Sequence, residues 1–281
     1  MKYFFYFLIC GFFFCAIAPC TLRAQIFLDS ATVRCEYYTK WKPDSAQSQY
    51  NDDLVYLDIG PRGSLCYSRY TYFRDSTRRA MMERGADEYL VQEETRLLRR
   101  GLSSIVGKQY NDNRLTVSES LVIRVIYSEV IPQIAWRITQ DTCTILSYLC
   151  RKAIAQFRGR DWEAWFCTEI PLQTGPFQFG GLPGLILKLS DTKQNYIFEA
   201  IELKMFKQKS ALLIEDRYID GKPYQRTSRE RYKKQEQEFY SNPTEYLKTY
   251  LGVSSVTLSN RAGQVSTSPT LRQSYNPIEL R

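Results

Sequence analysis

The sequence predicts a mainly β, α+β fold: a curved antiparallel sheet or half-barrel with covering helices. Three observations predict it. Short alternating apolar segments follow one another at close spacing, turns rich in glycine and proline separate them, and helical patterning is confined to one early stretch and to material near the C-terminus. Tyrosine and phenylalanine are abundant, at 21 and 15 residues, and such rings suit both strand interiors and the wall of an apolar cavity.

Residues 1–24 read as an export leader. Lys2 supplies the positive start, Tyr3 to Ile17 is almost continuously apolar, and Ala24 precedes a mature chain beginning near Gln25. The apolar run is short for a membrane span. Lipid attachment at Cys20 is the less favoured alternative, because Pro19 immediately before the cysteine fits lipoprotein processing poorly. The expected location is the periplasm or the periphery of an outer membrane. Residues 25–251 are read as one β-rich domain, and residues 252–281, rich in Ser and Thr, as a weakly ordered tail.

Val33 to Tyr37 alternates and opens the fold as a strand. Leu54 to Ile59 and Leu65 to Phe73 are two more, joined through Gly60-Pro61-Arg62-Gly63 as a hairpin. Asp75 caps a helix expected to reach about Arg100, with Gly85 interrupting it. Strands return at Leu115 to Val117, Leu121 to Tyr127 and Ile134 to Thr139. Asp141-Thr142 is read as the turn into a strand from Ile145 to Phe157. Later strands are expected at Leu185 to Leu189, Tyr196 to Phe206 and Leu212 to Ile219. Charge dominates Lys222 to Glu238, and Asn242-Pro243 starts a helix from Thr244 to Leu251.

The most specific stretch is Phe157 to Asp191. Asp161 to Thr168 alternates as a half-buried strand, which places Trp162 and Trp165 on opposite faces. Between Pro171 and Leu185 stand four glycines and three prolines, so turns set the backbone there. Gly175, Pro176, Gly181, Pro183 and Gly184 are the structural turn positions. Leu182-Pro183-Gly184-Leu185 is expected to be a type II turn, with Gly184 taking the positive φ.

The string Gly181 to Ile186, with Arg158-Gly159-Arg160, Trp165-Phe166, Ile170-Pro171, Gly175-Pro176-Phe177 and the ending Asn276 to Leu280, resembles the GLPGLI family. The resemblance implies an exported bacterial envelope protein of unknown activity, often encoded near outer-membrane β-barrel transporters of the TonB-dependent kind. No catalytic residues come with it.

Composition excludes several chemistries. The chain has no histidine, so Ser-His-Asp and Cys-His nucleophile pairs and histidine-ligated metal sites are absent. No cofactor and no metal are expected. Losing the leader leaves 257 residues and lowers the formal net charge from +8 to +6; the basic residues are interleaved with acidic ones, so no nucleic acid partner is indicated. Of the five cysteines after the leader, Cys143, Cys150 and Cys167 fall on adjacent predicted strands and are candidates for a disulfide whose connectivity spacing leaves open.

The expected function is a non-enzymatic binding or accessory module, with an outer-membrane β-barrel transporter or a hydrophobic ligand as partner. Its contact residues would be Arg158, Arg160, Trp162, Trp165, Phe177, Phe179 and Leu182. The alternatives are a hydrolase using Asp161, Glu163 or Glu169 as paired carboxylates, and a structural envelope protein. For Arg158 and Arg160 the ordinary reading is salt bridges to neighbouring carboxylates; for the Gly180 to Gly184 loop it is a tight corner packed on the sheet.

Overall fold

The computed structural model describes residues 25–121, 124–215, 223–252, 258–259, 265–266 and 275–280. The predicted leader, with Cys20, and much of the predicted tail lie outside the described residues. The elements run β1 (Gln25–Trp41), β2 (Asn51–Ile59), β3 (Gly63–Ser68), α1 (Arg69–Glu83), α2 (Glu88–Thr95), β4 (Ile105–Gln109), β5 (Arg114–Ser120) and β6 (Arg124–Val130). They continue with β7 (Arg137–Ile145), β8 (Tyr148–Phe157), β9 (Arg160–Cys167), β10 (Leu185–Asp191), β11 (Tyr196–Glu215), β12 (Gln225–Arg226), α3 (Arg229–Ser241) and α4 (Pro243–Leu251). A small pair, β13 (Leu258–Ser259) and β14 (Val265–Ser266), closes the order.

The fold is mainly β, as expected. Twelve strands form one open sheet in the order β12-β6-β5-β4-β3-β2-β1-β11-β10-β9-β8-β7, antiparallel except for the short β12–β6 pair. Most neighbours in the sheet are also neighbours in sequence, because hairpins connect them. The exceptions are the short β12–β6 pair at one edge and the long β1–β11 pairing at the centre, which joins an N-terminal meander to a C-terminal one. Register shifts at Phe27/Asp29, Ala31/Val33 and Glu36/Tyr37 interrupt that pairing, and such bulges bend and twist a sheet.

Alternation then sorts the side chains. Tyr37, Val55, Leu57, Leu115, Val117, Trp162, Phe166, Leu187 and Phe198 point into the main core, while Leu28, Leu65, Tyr67, Ile126, Leu212 and Ile214 form a second cluster. Burying large apolar side chains of this kind stabilises the fold by about 1.5–3 kcal/mol each.

Several predicted boundaries are corrected. The single helix from Asp75 is two helices capped by the side chains of Ser68 and Asp87, which accept from Thr71 N and Leu90 N. Asp75 lies inside α1, and the predicted strand to Phe73 stops at Ser68 because that hydroxyl opens the helix. Gly85, at φ +84°, lies between α1 and α2. β4 and α3 were not predicted. The β7–β8 turn is at Leu146-Ser147, both at positive φ (50° and 68°), rather than at Asp141-Thr142, where only a register irregularity falls. Two positive-φ residues in succession match the right-handed twist of a hairpin. β11 is one long strand where two were expected; the end of the second, beyond Glu215, lies outside the described residues.

Gly184 does not take a positive φ; among the described glycines of the corner only Gly181 does, at +82°. The Gly184 N–H donates to Leu182 O at 2.8 Å, a three-residue turn centred on Pro183. Glycine is required at 184 for space instead: a Cβ there would lie 2.0 Å from Cys167 O.

Candidate functional site

The stretch most distinctive in sequence is a packed corner. Trp162 is 1% exposed, its ring 4.5 Å from that of Phe179, and its indole N–H donates to Phe157 O. Phe177 packs on Phe198, and Leu182 is buried. Trp165, on the opposite face, is half-buried beside the Lys152 ammonium. The loop backbone is pinned from three strands and from the segment before β7. Tyr37 donates to Ile186 O at 2.6 Å, Trp136 Nε1 to Gly180 O at 2.9 Å, and Phe177 N to Cys66 Sγ at 3.1 Å. The buried Lys108 ammonium donates to Thr174 Oγ1, Gly175 O and Phe179 O. Burial draws that amine down to about 7.

Arg158 and Arg160 are also occupied. Arg158 and Gly159, at φ 47° and 83°, form the two-residue turn between β8 and β9, so no continuous strand runs through them. The Arg158 guanidinium pairs with Glu129 at 2.7 Å and with Glu279. Arg160 pairs with Asp191 at 3.2 Å and donates to Asn276 Oδ1 at 2.6 Å and to the carbonyls of Pro277 and Ile278. Tyr196 Oη donates to Asn276 O, and Arg229 pairs with Glu279. The two arginines thus hold the chain's own closing residues, Tyr275 to Leu280, across the concave side. Their carboxylate partners are Glu129, Asp191 and Glu279 rather than the neighbouring Asp161, Glu163 or Glu169.

Those three carboxylates are not gathered into a site. Glu163 pairs with Lys152 at 3.1 Å, Asp161 accepts from Gln156, and Glu169 is exposed past the end of β9. Cys143, Cys150 and Cys167 fall on β7, β8 and β9; Cys150 and Cys167 belong to the main apolar cluster and Cys143 packs against it.

The structure instead opens a cavity of about 440 Å³ beside the corner loop and the closing residues. Its floor is β4 to β6, its roof α3, and its rims are the loop 101–104 and the closing residues 275–279. Trp41, Tyr127, Tyr196, Tyr232, Tyr240 and Tyr275 supply aromatic walls. Glu119 and Glu236 enter from opposite sides, and Glu279, paired with Arg158 and Arg229, is a third carboxylate at the rim. Glu119 accepts from the hydroxyls of Ser103 and Ser104, and burial pushes it up to about 7, against those hydrogen bonds and with the help of the nearby Glu236 charge. Glu236 accepts from Tyr232 Oη, Tyr275 Oη and Lys233 Nζ. Gln178 adds a side-chain amide that is 5% exposed, lines the cavity, and has no partner for its Nε2 donor.

Local folding explains this geometry. Leu115, Val117 and Glu119 share one face of β5 by the two-residue period, so the strand that buries two apolar side chains carries the acid inward with them. Tyr232 and Glu236 stand one helical turn apart on α3, whose inward face also carries Phe239. Ser103 and Ser104 are positioned through Asp53, a fully buried carboxyl on β2 that accepts from Leu102 N at 2.8 Å and from Ser68 Oγ at 3.0 Å. Burial pushes Asp53 to about 6, opposed by those bonds. Gly101 passes so close that a Cβ would meet Asp53 Oδ2 at 1.9 Å. Sequence reasoning missed all of these residues. The available signal was an acid at the inward phase of a strand, in Leu115-Thr-Val-Ser-Glu119.

The chain is similar to one known family, N-glycanase peptide, N-terminal domain, whose model matches residues 105–225, less than half of the chain. Two solved structures are also similar: PNGF-II in C2 space group, at 16% identity and a TM-score of 0.47, and PNGF-II in P21 space group, at 15% identity and 0.47. Each alignment covers 73% of this chain and 32% of that one, so the chain spans about a third of their length. No curated protein matches it.

The family match corrects the expectations drawn from the GLPGLI resemblance. Residues 105–225 contain Gly181 to Ile186 and the whole β9–β10 corner, and the family that matches them is an N-glycanase one. The non-enzymatic accessory role, the link to TonB-dependent transporters and the expected lack of enzymatic function are withdrawn on that finding.

Proposed function

We propose that this chain is a glycan-processing domain of the N-glycanase kind, which takes the N-linked glycan of a glycoprotein into the cavity between β4–β6 and α3. The carrying observation is that residues 105–225, the part similar to the N-glycanase domain, supply the cavity floor together with Glu119, Tyr127, Gln178 and Tyr196. Each kind of side chain there suits a sugar. Aromatic rings cover the apolar faces of pyranose rings, and the unpartnered Gln178 donor and the carboxyl oxygens meet hydroxyl and acetamido groups.

The two carboxyls divide the chemistry of hydrolysis between them. Glu119, pushed up to about 7, holds a proton at mildly acidic pH and can deliver it to the nitrogen that leaves when an N-glycan is released. Glu236, ringed by hydroxyl and ammonium donors, is the acceptor that can take a proton from an attacking water.

Incubation with a denatured N-glycosylated protein tests this, with glycan release read by gel mobility and mass spectrometry. Release by the full chain is expected, with E119Q lowering the rate by about a hundredfold or more. No release, or release unchanged in both E119Q and E236Q, would overturn the proposal.

A further inference from the structure

We infer that Cys143, Cys150 and Cys167 form a thiol-modification site at the β7 edge of the sheet, which takes a small-molecule disulfide as oxidant and closes a Cys143–Cys150 bond across the β7–β8 hairpin. The inference does not depend on the glycan reading.

Strand register places the sulfurs. Cys143 is paired directly with Cys150, between Thr142↔Arg151 and Thr144↔Leu149. On the other side β8 pairs with β9 through Arg151↔Phe166, and one further step brings Cys150 opposite Cys167. The three thiols therefore lie in one row across three adjacent strands, on the face that carries Lys152 and Trp165. Directly opposed residues of an antiparallel pair have Cα atoms about 4.5–5.5 Å apart, inside the span of about 4.4–6.8 Å that a disulfide bridges.

The same geometry keeps the other two cysteines from bonding to each other. Cys35 on β1 and Cys66 on β3 both pair with Leu57 of the intervening β2. Two strand spacings come to about 9.6 Å, beyond disulfide reach. Cys35 and Cys66 are thus out of reach of each other, whereas the β7–β9 row holds directly opposed thiols.

Exposure sets the order of events within that row. Cys150 and Cys167 are 0% exposed, whereas Cys143, on the edge strand, is partly exposed. The Cys143 thiolate attacks one sulfur of the oxidant, forms a mixed disulfide and expels one thiolate. Cys150, its proton lost to solvent, then attacks the Cys143 sulfur, forms the protein disulfide and expels the second thiolate. Two electrons pass from the cysteine pair to the oxidant, which leaves as two thiols carrying the two protons. Cys167 stays a thiol, buried beside the new bond.

The full chain, purified reduced and incubated with oxidised glutathione, is then denatured, alkylated and peptide-mapped by mass spectrometry. A Cys143–Cys150 link with Cys35, Cys66 and Cys167 alkylated is expected. In Cys143→Ser the partly exposed entry thiol is gone, and oxidation should fall at least tenfold. In Cys150→Ser, folding being checked by near-UV circular dichroism, Cys143 should accumulate as the mixed glutathione disulfide. A Cys150–Cys167 bond, any bond to Cys35 or Cys66, no bond at all, or undiminished oxidation of Cys143→Ser would overturn the inference.

Discussion

The corner between β9 and β10 and the hollow between β5 and α3 lie in one sheet but are built on opposite terms. In the corner the large side chains are buried and the backbone is tied down: Trp162 against Phe179, Lys108 on two loop carbonyls and a hydroxyl, Tyr37 on Ile186 O. In the hollow a half-buried acid faces a second carboxyl, an amide donor lacks a partner, and about 440 Å³ is open. The difference teaches that a conspicuous string in a sequence can mark where packing is least tolerant, while the chemistry sits where polar groups are left with capacity to spare.

The comparison can be broken most forcefully at the corner. Trp162→Ala should cost about 4 kcal/mol in denaturant unfolding, since it empties a fully packed site; a loss below about 1 kcal/mol would show that the corner is not packed as described. Next comes a matched pair of glycines. Gly184→Ala should cost about 3 kcal/mol, because the added methyl strikes the Cys167 carbonyl. Gly181→Ala should cost only about 1 kcal/mol, since its Cβ meets nothing within 4 Å and pays only for the positive φ. Equal costs would remove the distinction between space and φ.

The hollow should answer to pH instead. Glu119 is raised from its ordinary value to about 7, so between about 4.5 and 7 the folded chain holds a proton that the unfolded chain has released. Stability falls as pH rises through that window, and E119Q should flatten the fall by about 1 kcal/mol after allowance for solvent screening. An unchanged pH profile would place the acid in water. The smallest effect belongs to the carboxylates that looked catalytic in sequence. Glu163→Gln removes a partly exposed pair with Lys152 and should change stability by less than about 0.5 kcal/mol, with glycan release unaffected.

The parts of the fold that were legible in sequence are those where alternation survives intact. Trp162 and Trp165 divide between core and outer face as their spacing requires, and β2, β9 and β10 fall near their expected limits. β4 was hidden because Gly107 and Lys108 break an apolar pattern for tertiary reasons. Gly107 leaves room for Leu28 and Ile214, whose side chains would lie 2.5 Å from a Cβ, and Lys108 serves a loop nearly seventy positions away. The single predicted helix failed because Ser68, at the inward end of a strand, is also a cap.

The candidate site was less legible still. Glu119 belongs to β5, Glu236 to α3, Gln178 to the corner loop and Tyr275 to the closing residues, so their convergence is purely tertiary. Arg158 and Arg160, which flank Gly159 in sequence and were read as candidate ligand contacts, are satisfied by Glu279 and Asn276 more than a hundred positions away. No spacing rule reports such a contact. The family likeness over residues 105–225 redirected the reading from a passive module to glycan chemistry, and the cavity gave that reading a place.

The most direct test of the central claim is where an N-linked glycan sits. With the Gln178 side-chain amide assigned by NMR, titration with a short N-glycopeptide should shift that resonance together with the backbone amides of Ser103, Ser104 and Glu119. Shifts confined to the opposite face around Arg34 and Asp58, or none at saturating glycopeptide, would contradict it.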